Sequence, residues 1–481
     1  MQTRLTQNVA LALTTLFASG LAMPRLASAQ ESDLSAELSE NQLAKLVAEM
    51  QKEVEALRGR KYKHPVKAAL YTQEELRAFI QRESAGLDAE RERASSEASM
   101  KMIGLIPPDS NPAKTFEDAM TGFVPGLYDH KTKTLGVVKR RGMDYDSLFV
   151  RVMIAHELVH ALDDQYFDFE RLMADHTTSD ASFALGAVVE GSAVTLQERY
   201  ERKAKRSDDY DPARLEEARR VERERMRALF EAPPFVRTMF LARFPCGIRF
   251  LQRGDITAFA RPDGPKAVEA EVRTALANPP RSSEQILHPE KYWQDEQQDE
   301  PIIVNDEDVE RVLLAEGLHV VHKDTIGELY CAVLTSPEDK KFNFMAMMIP
   351  GGWTNEAATG WGGDRFFLLA TEPVKEEINQ ASKNLQGVWL TMWDTPEDRD
   401  EFVERYQTHR ALSSRTLLKL GDLGAVFFFA FEETQRHTVA GRLQASPPAF
   451  TRGGRPWITI GRVGGGKIDR HTEVSNAPVT R

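Results

Sequence analysis

Two cysteines, Cys246 and Cys331, are all that 481 residues contain, too few for a zinc–thiolate centre. In an oxidising compartment they are free to pair, and two buried thiols fit the sequence equally. Net positive charge is also missing. The formal charge is −11, and removing residues 1–29, which carry Arg4 and Arg25 but no acid, takes it to −13. Such a chain is a poor ligand for polyanions, so nucleic acid is not an expected partner. Beyond the N-terminal region no apolar stretch approaches the ~20 residues that a membrane helix needs. The segment Gly461 to Gly466 does not fit G-x-G-x-x-G and no helix signal follows it, which removes a nucleotide site. There is no internal repeat.

What is present begins with an address. A basic start at Arg4, an apolar run from Val9 to Met23 and Ala27-Ser28-Ala29 before Gln30 have the layout of a secretory signal peptide. Pro24 and Arg25 stand unusually close to the cleavage point. No cysteine follows the run, so bacterial lipidation there is not supported. The expectation is a signal peptide over 1–29 and a secreted or periplasmic bacterial protein without a membrane span after cleavage. At 41% hydrophobic content the remainder is long enough for two or three domains with proper cores.

Residues 33–58 read as a charged helix with Leu43, Leu46, Val47, Met50 and Val54 at helical spacing, followed by a strand-like run from Tyr62 to Tyr71. Thr72-Gln73-Glu74-Glu75 is a capping box that opens another helix. Phe123 to Tyr128 and Thr134 to Val138 read as strands joined by a turn over Asp129 to Lys133. Helices follow from near Asp146 to Gln165, from Ser182 to Lys205, from Asp211-Pro212 to Phe230 and from Phe235 to Gln252. The Arg/Glu-rich third of these is a solvated face. From about 301 the texture changes to strands, glycine turns and short helices, with Val388 to Trp393 and Val426 to Phe431 as strand candidates. The expected fold class is α+β. A mainly helical domain with a small N-terminal sheet spans 30–300, a mixed module 301–445 and a Gly/Pro-rich tail 446–481.

The chemistry sits in His156-Glu157-Leu158-Val159-His160, H-E-x-x-H inside an apolar stretch. On a helix, positions i and i+4 share a face, so His156 and His160 can present two imidazoles to one ion. Glu157 lies on the same turn and can serve as general base toward a water whose pKa zinc lowers to ~7. Leu148, Val152, Met153, Ala155, Val159 and Leu162 make the helix a buried one, where histidines without partners are costly.

Catalytic zinc usually takes three protein ligands and keeps one open position. A continuation to x-x-G-x-x-H is excluded, since Asp163 and Tyr166 occupy those places. A glutamate from a later helix remains, and Glu190 fits: Gly186, Ala187, Ala193 and Val194 give it a small apolar face that lets two helices approach closely. A carboxylate there is buried and needs a cation. Glu170, Glu198 and His176 are weaker ligand candidates. Asp163 or Asp164, with Asp164 preferred, is placed to accept from a ligand imidazole and fix its tautomer.

With His156-Glu157-x-x-His160 and Glu190-Gly191-x-Ala193, the chain resembles the gluzincin class of zinc metallopeptidases, which includes thermolysin-like and aminopeptidase-N-like enzymes. The longer string from His156 to Gln165 resembles more particularly a family of largely uncharacterised secreted bacterial proteins of metallopeptidase type. So do Gly126-Leu127-Tyr128-Asp129, Ser283 to Pro289, Gly360 to Arg365 and Trp393-Asp394-Thr395. The likeness runs from about 60 to 405. It implies a zincin-like fold, His156, His160 and Glu190 as zinc ligands and Glu157 as base. Thermolysin-like enzymes carry an Asp four residues after the Glu ligand, where this chain has Val194, so its outer shell must differ.

The resulting expectation is a secreted zinc metallopeptidase acting on protein or peptide substrates. His288 is the candidate oxyanion donor, with Tyr128 and Tyr292 as alternatives. By analogy with zincins, the Thr134–Val138 strand would pair with extended substrate. Asp364-Arg365 after a glycine turn reads as a structural ion-paired turn. Another zinc-dependent amidase or esterase, or a non-catalytic zinc-containing envelope protein, remain alternatives. An intact Glu157 favours catalysis, because a purely structural site has no use for it.

Overall fold

The computed structural model describes residues 38–457 apart from 84–86, 112–113, 116–124, 141–143, 146, 256, 258–260, 262–263, 338–350, 373–383 and 410–415. The segment 1–29, expected to be a signal peptide, and the Gly461 to Gly466 run therefore lie outside the described residues. Helix α1 (Glu40–Arg58) starts at a capping box between Ser39 and Gln42 and buries Leu43, Val47, Met50 and Val54. Strand β1 (Lys67–Tyr71) and helices α2 (Gln73–Glu83) and α3 (Leu87–Ile103) follow. The capping box ahead of α2 is formed: Thr72 N–H donates to Glu75, and Glu75 N–H donates back to the Thr72 hydroxyl.

Strands β2 (Gly126–Asp129) and β3 (Thr134–Val138) form the expected hairpin, whose turn is tied by Asp129 accepting from Lys131 N–H and Thr132 Oγ1. The small sheet has order β1-β3-β2, with β1 parallel and β2 antiparallel to β3. Thr134–Val138 is thus the central strand, paired on both sides. The expectation that it receives substrate by strand addition is corrected, because its backbone N–H and C=O groups are already taken.

The central helices are α4 (Leu148–Phe167), α5 (Phe169–Asp175) and α6 (Ser179–Ala204). They are followed by α7 (Pro212–Phe230), α8 (Pro234–Leu241) and α9 (Arg243–Leu251). The stretch expected as one helix from Phe235 to Gln252 is two. Pro245 has no N–H to donate to the carbonyl of Leu241, so the ladder breaks there. Helices α10 (Glu269–Ala277), α11 (Ser283–Leu287) and α12 (Glu290–Trp293) complete this half.

The C-terminal half contains β4 (Ile302–Val304), α13 (Asp306–Leu314), β5 (His319–Asp324), α14 (Gly327–Leu334), β6 (Trp361–Ala370), β7 (Gln386–Trp393) and α15 (Pro396–His409). Strands β8 (Thr416–Leu420) and β9 (Gly424–Phe429), helix α16 (Glu433–Ala445) and strands β10 (Phe450–Arg452) and β11 (Arg455–Trp457) follow. Its antiparallel sheet has order β5-β6-β7-β9-β8. Period-two alternation sends Phe366, Leu368, Trp389, Trp393 and Phe427 to one core, and Phe367, Leu369, Val388, Leu390, Val426 and Phe428 to another. Both faces are apolar because helices cover both. The start of the expected tail forms strands: β10 and β11 turn at Gly453-Gly454 and pair with each other, and β10 pairs with β4.

The division near residue 300 is not a break in packing. One core cluster runs from Leu76 through Phe183, Phe244 and Ile286 to Trp389 and Phe429. Polar contacts cross it too. Asp324 accepts from Ser179 N–H and Oγ at the start of α6, and Asp180 N–H on α6 donates to the Thr325 carbonyl. Among the described residues, no helix is long and apolar enough to cross a membrane. The class is α+β, as expected. Cys246 and Cys331 are both free and buried.

Candidate metal centre

Helix α4 is capped by Ser147, which accepts from Val150 N–H, and from Phe149 to Asp164 every residue except Arg151 is buried. A helix apolar around its circumference is a core helix, and this one carries His156, Glu157 and His160 at 0% exposure each. Helix α6 packs alongside and delivers Glu190, 1% exposed. The two ring Nε2 atoms are 2.8 Å apart. Glu190 Oε2 lies 3.3 Å from His156 Nε2 and 3.8 Å from His160 Nε2.

These separations test whether an ion fits. Ligand bonds of ~2.0–2.1 Å in tetrahedral geometry place donor atoms about 3.3 Å apart. The observed 2.8, 3.3 and 3.8 Å straddle that edge length. Glu190 Oε2 is buried and accepts no hydrogen bond, so its desolvation is not offset by one. Two imidazoles and a carboxylate suit zinc. The three residues fit the ion.

Neither carboxylate oxygen of Glu157 completes a hydrogen bond. Burial pushes its pKa well above the ordinary range, opposed by the Tyr128 backbone N–H. Burial also raises Glu190, the charge of Glu157 raises it further, and the Arg243 guanidinium pulls it down. A cation between them acts on both carboxylates in the sense of Arg243.

The small face expected beside Glu190 exists, but it serves a different neighbour. A Cβ at Gly247 would lie 1.9 Å from the Ala187 carbonyl oxygen, and one at Gly191 would lie 2.3 Å from the Gly247 backbone. The glycines bring α6 against α9, whereas Ala193, Leu196 and Tyr200 share a cluster with Ala155, Leu158 and Val159 of α4.

Other expectations change. Asp164 does not orient an imidazole: its oxygens accept from Tyr128 Oη (2.7 Å), Lys133 Nζ (2.8 Å) and Phe169 N–H (2.9 Å). Asp163 instead accepts from Arg58 and Ser192. Tyr292 Oη donates to the Asn278 carbonyl. His288 joins a separate group, with Nε2 2.9 Å from Glu328 Oε1, which also accepts from Thr354 Oγ1. All three oxyanion candidates thus have their polar atoms engaged away from the triad. Glu170 is exposed, Glu198 lies by Arg202, and His176 Nδ1 contacts the Leu172 carbonyl. Asp364 accepts from Ile326 N–H, Gly327 N–H and the indoles of Trp361 and Trp389, and Arg365 pairs with Asp306, so both residues are structural, but they lie within strand β6 and not in the expected turn. A second acidic group, Glu284, Asp299 and Asp394, already holds a cation in Lys291 Nζ, at 2.5, 3.2 and 3.3 Å.

The His288–Glu328 pair carries a pH prediction. Burial disfavours the imidazolium, but the hydrogen bond and charge of Glu328 outweigh it, and the folded pKa lies above the ordinary value. Its stabilisation is therefore complete below about pH 6.5 and is lost as pH rises through the raised folded pKa. His288→Gln is expected to remove this slope from the melting temperature above that pH. A wild-type slope in the variant, read by thermal denaturation, would show that the pair contributes nothing.

Arg58 and Arg243 escaped the sequence reading. Arg58 looks like an ordinary basic residue at a helix end, and nothing local indicates a partner 105 residues away. Arg243 is 3% exposed, and a Cβ on Gly186 would meet its guanidinium at 2.9–3.0 Å. An arginine inside the apolar Phe235–Gln252 stretch was the available signal.

Residues 311–423 match the family described as Domain of unknown function (DUF8575). Neither a curated protein nor a solved structure matches the chain.

Proposed function

We propose that this protein is an exported zinc-dependent metallopeptidase of gluzincin type, with a zincin-like catalytic half. The observation that carries the reading is the convergence of His156, His160 and Glu190 in full burial, with the unpaired carboxylate of Glu157 on the same helix turn. Zinc held there supplies a lowered pKa for a coordinated water and polarisation of a carbonyl. Glu157 takes the proton of the attacking water and returns it to the leaving amine. Burial of the ligands excludes competing water. Among the described residues β2 pairs with β3 alone, so its other edge, beside Glu157, is the one available to an extended peptide. The N-terminal segment gives the address, secreted or periplasmic.

The test is metal analysis with peptide-library cleavage. One zinc per chain is expected, with cleavage abolished by a chelator and restored by Zn2+. A chain that neither retains nor rebinds zinc would sink the proposal. Stoichiometric zinc without cleavage of any peptide would favour a non-catalytic envelope protein.

A further inference from the structure

The two ligand-bearing helices are fastened to each other a second time. At about 100° per residue, Glu190 and Ser192 project about 200° apart on α6, with Ala193 between them. Ala193 is buried in the cluster that contains Ala155, Leu158 and Val159 of α4. Helix α6 therefore reaches α4 on both sides of that line, through Glu190 toward His156 and His160 and through Ser192 toward Asp163. The second contact is a closed ring. Ser192 Oγ donates to Asp163 Oδ2 (2.5 Å), and Arg58 Nη2 donates to Asp163 Oδ1 (2.7 Å) and Oδ2 (3.0 Å) and to Ser192 Oγ (3.0 Å). Arg58, Asp163 and Ser192 are 6%, 1% and 0% exposed. Glu269 pairs with both Arg58 and Arg60, which balances two arginines against two carboxylates.

Resting on the metal reading above, we propose that Arg58, Asp163 and Ser192 are positioning residues of the metal centre. They form a buried clamp that sets the separation and roll of α4 against α6 and so the spacing of the three ligand atoms. The physical reason is that an apolar seam resists sliding and rolling weakly, whereas one guanidinium nitrogen shared between a carboxylate and a hydroxyl that are themselves hydrogen-bonded constrains both helices directionally. Asp163 lies three residues after His160 and Ser192 two after Glu190, so a shift at the ring moves the ligands. Helix α1, through Arg58 at its end, becomes part of the centre although it carries no ligand.

The experiment uses the full chain with Ser192→Ala, which removes only a hydroxyl, and Asp163→Asn, which keeps the shape and removes the charge. Zinc affinity is read by chelator competition, site geometry by the absorption of bound Co2+, and fold by melting of the metal-free proteins. Zinc Kd is expected to rise about tenfold in Ser192→Ala and up to about 100-fold in Asp163→Asn. Altered Co2+ bands are expected in both, with metal-free Ser192→Ala melting close to wild type. Unchanged affinity and Co2+ spectra in both variants would overturn the proposal. So would a loss of affinity no larger than the destabilisation of the metal-free protein accounts for. A wild-type chain that binds neither ion would instead overturn the metal centre itself.

Discussion

Glu157→Gln is expected to leave zinc bound and to cut peptide hydrolysis by about 10²- to 10⁴-fold, the usual contribution of a positioned acid–base group. The substitution is isosteric, and Glu157 is not among the three converging ligands, so the metal content has no reason to change. What is lost is the ability to accept a proton. A second readout separates this from general damage. Glu157 is 0% exposed and neither of its oxygens is hydrogen-bonded, so the wild-type chain carries the cost of burying an unpaired carboxylate. The amide bears no charge, and the metal-free variant is therefore expected to melt at or above the wild-type temperature. Full cleavage by the Gln variant would remove Glu157 as base. Loss of zinc in that variant would place it among the ligands.

Glu190→Ala is expected to abolish stoichiometric zinc after dialysis, a larger loss than the ~10–100-fold typical of outer partners. Two imidazoles remain, but the third corner of the site becomes a methyl group. In the wild-type chain Glu190 Oε2 has no hydrogen bond to hold it in the protein, so its removal takes away an ion ligand without breaking an internal bond at that atom. Zinc content by elemental analysis decides the matter. Undiminished zinc in Glu190→Ala would show that the third ligand lies elsewhere.

The region that matches the domain of unknown function meets α6, the helix that carries Glu190, at its start. Asp324 caps α6 through Ser179, and Asp180 N–H donates to the Thr325 carbonyl. Asp180 in turn caps α11 through Ser283, whose hydroxyl accepts from Leu329 N–H. Such reciprocal caps fix where α6 begins and so help to set the height at which Glu190 meets α4.

Read without a structure, the chain already gives part of its helical pattern and a candidate chemistry. Hydrophobic spacing, capping residues and prolines mark the helices that end or begin near Arg58, Gln73, Leu148, Ser179 and Pro212, whereas α3, α5 and α10 are not marked in this way. The H-E-x-x-H spacing needs only the pitch of a helix to bring His156 and His160 together, and Glu190 is recognisable as a carboxylate with no apolar excuse. These are local properties, set by dihedral preferences and periodicity. Long-range pairing is a different matter. Asp163 and Asp164 are adjacent acids at a helix end, and the sequence points to Asp164 as partner of a ligand imidazole. Only packing gives Asp164 to Tyr128, Lys133 and Phe169, and Asp163 to Arg58 and Ser192. His288 has the chemistry of an oxyanion donor, yet tertiary structure seats it on Glu328. Thr134–Val138 has the pattern of a strand, but its rank in the sheet depends on β1, more than sixty residues earlier in the chain. Side-chain type and spacing determine what a residue can do, and three-dimensional packing decides which partner satisfies it, because a buried polar group binds the nearest complementary group, whatever its place in the sequence.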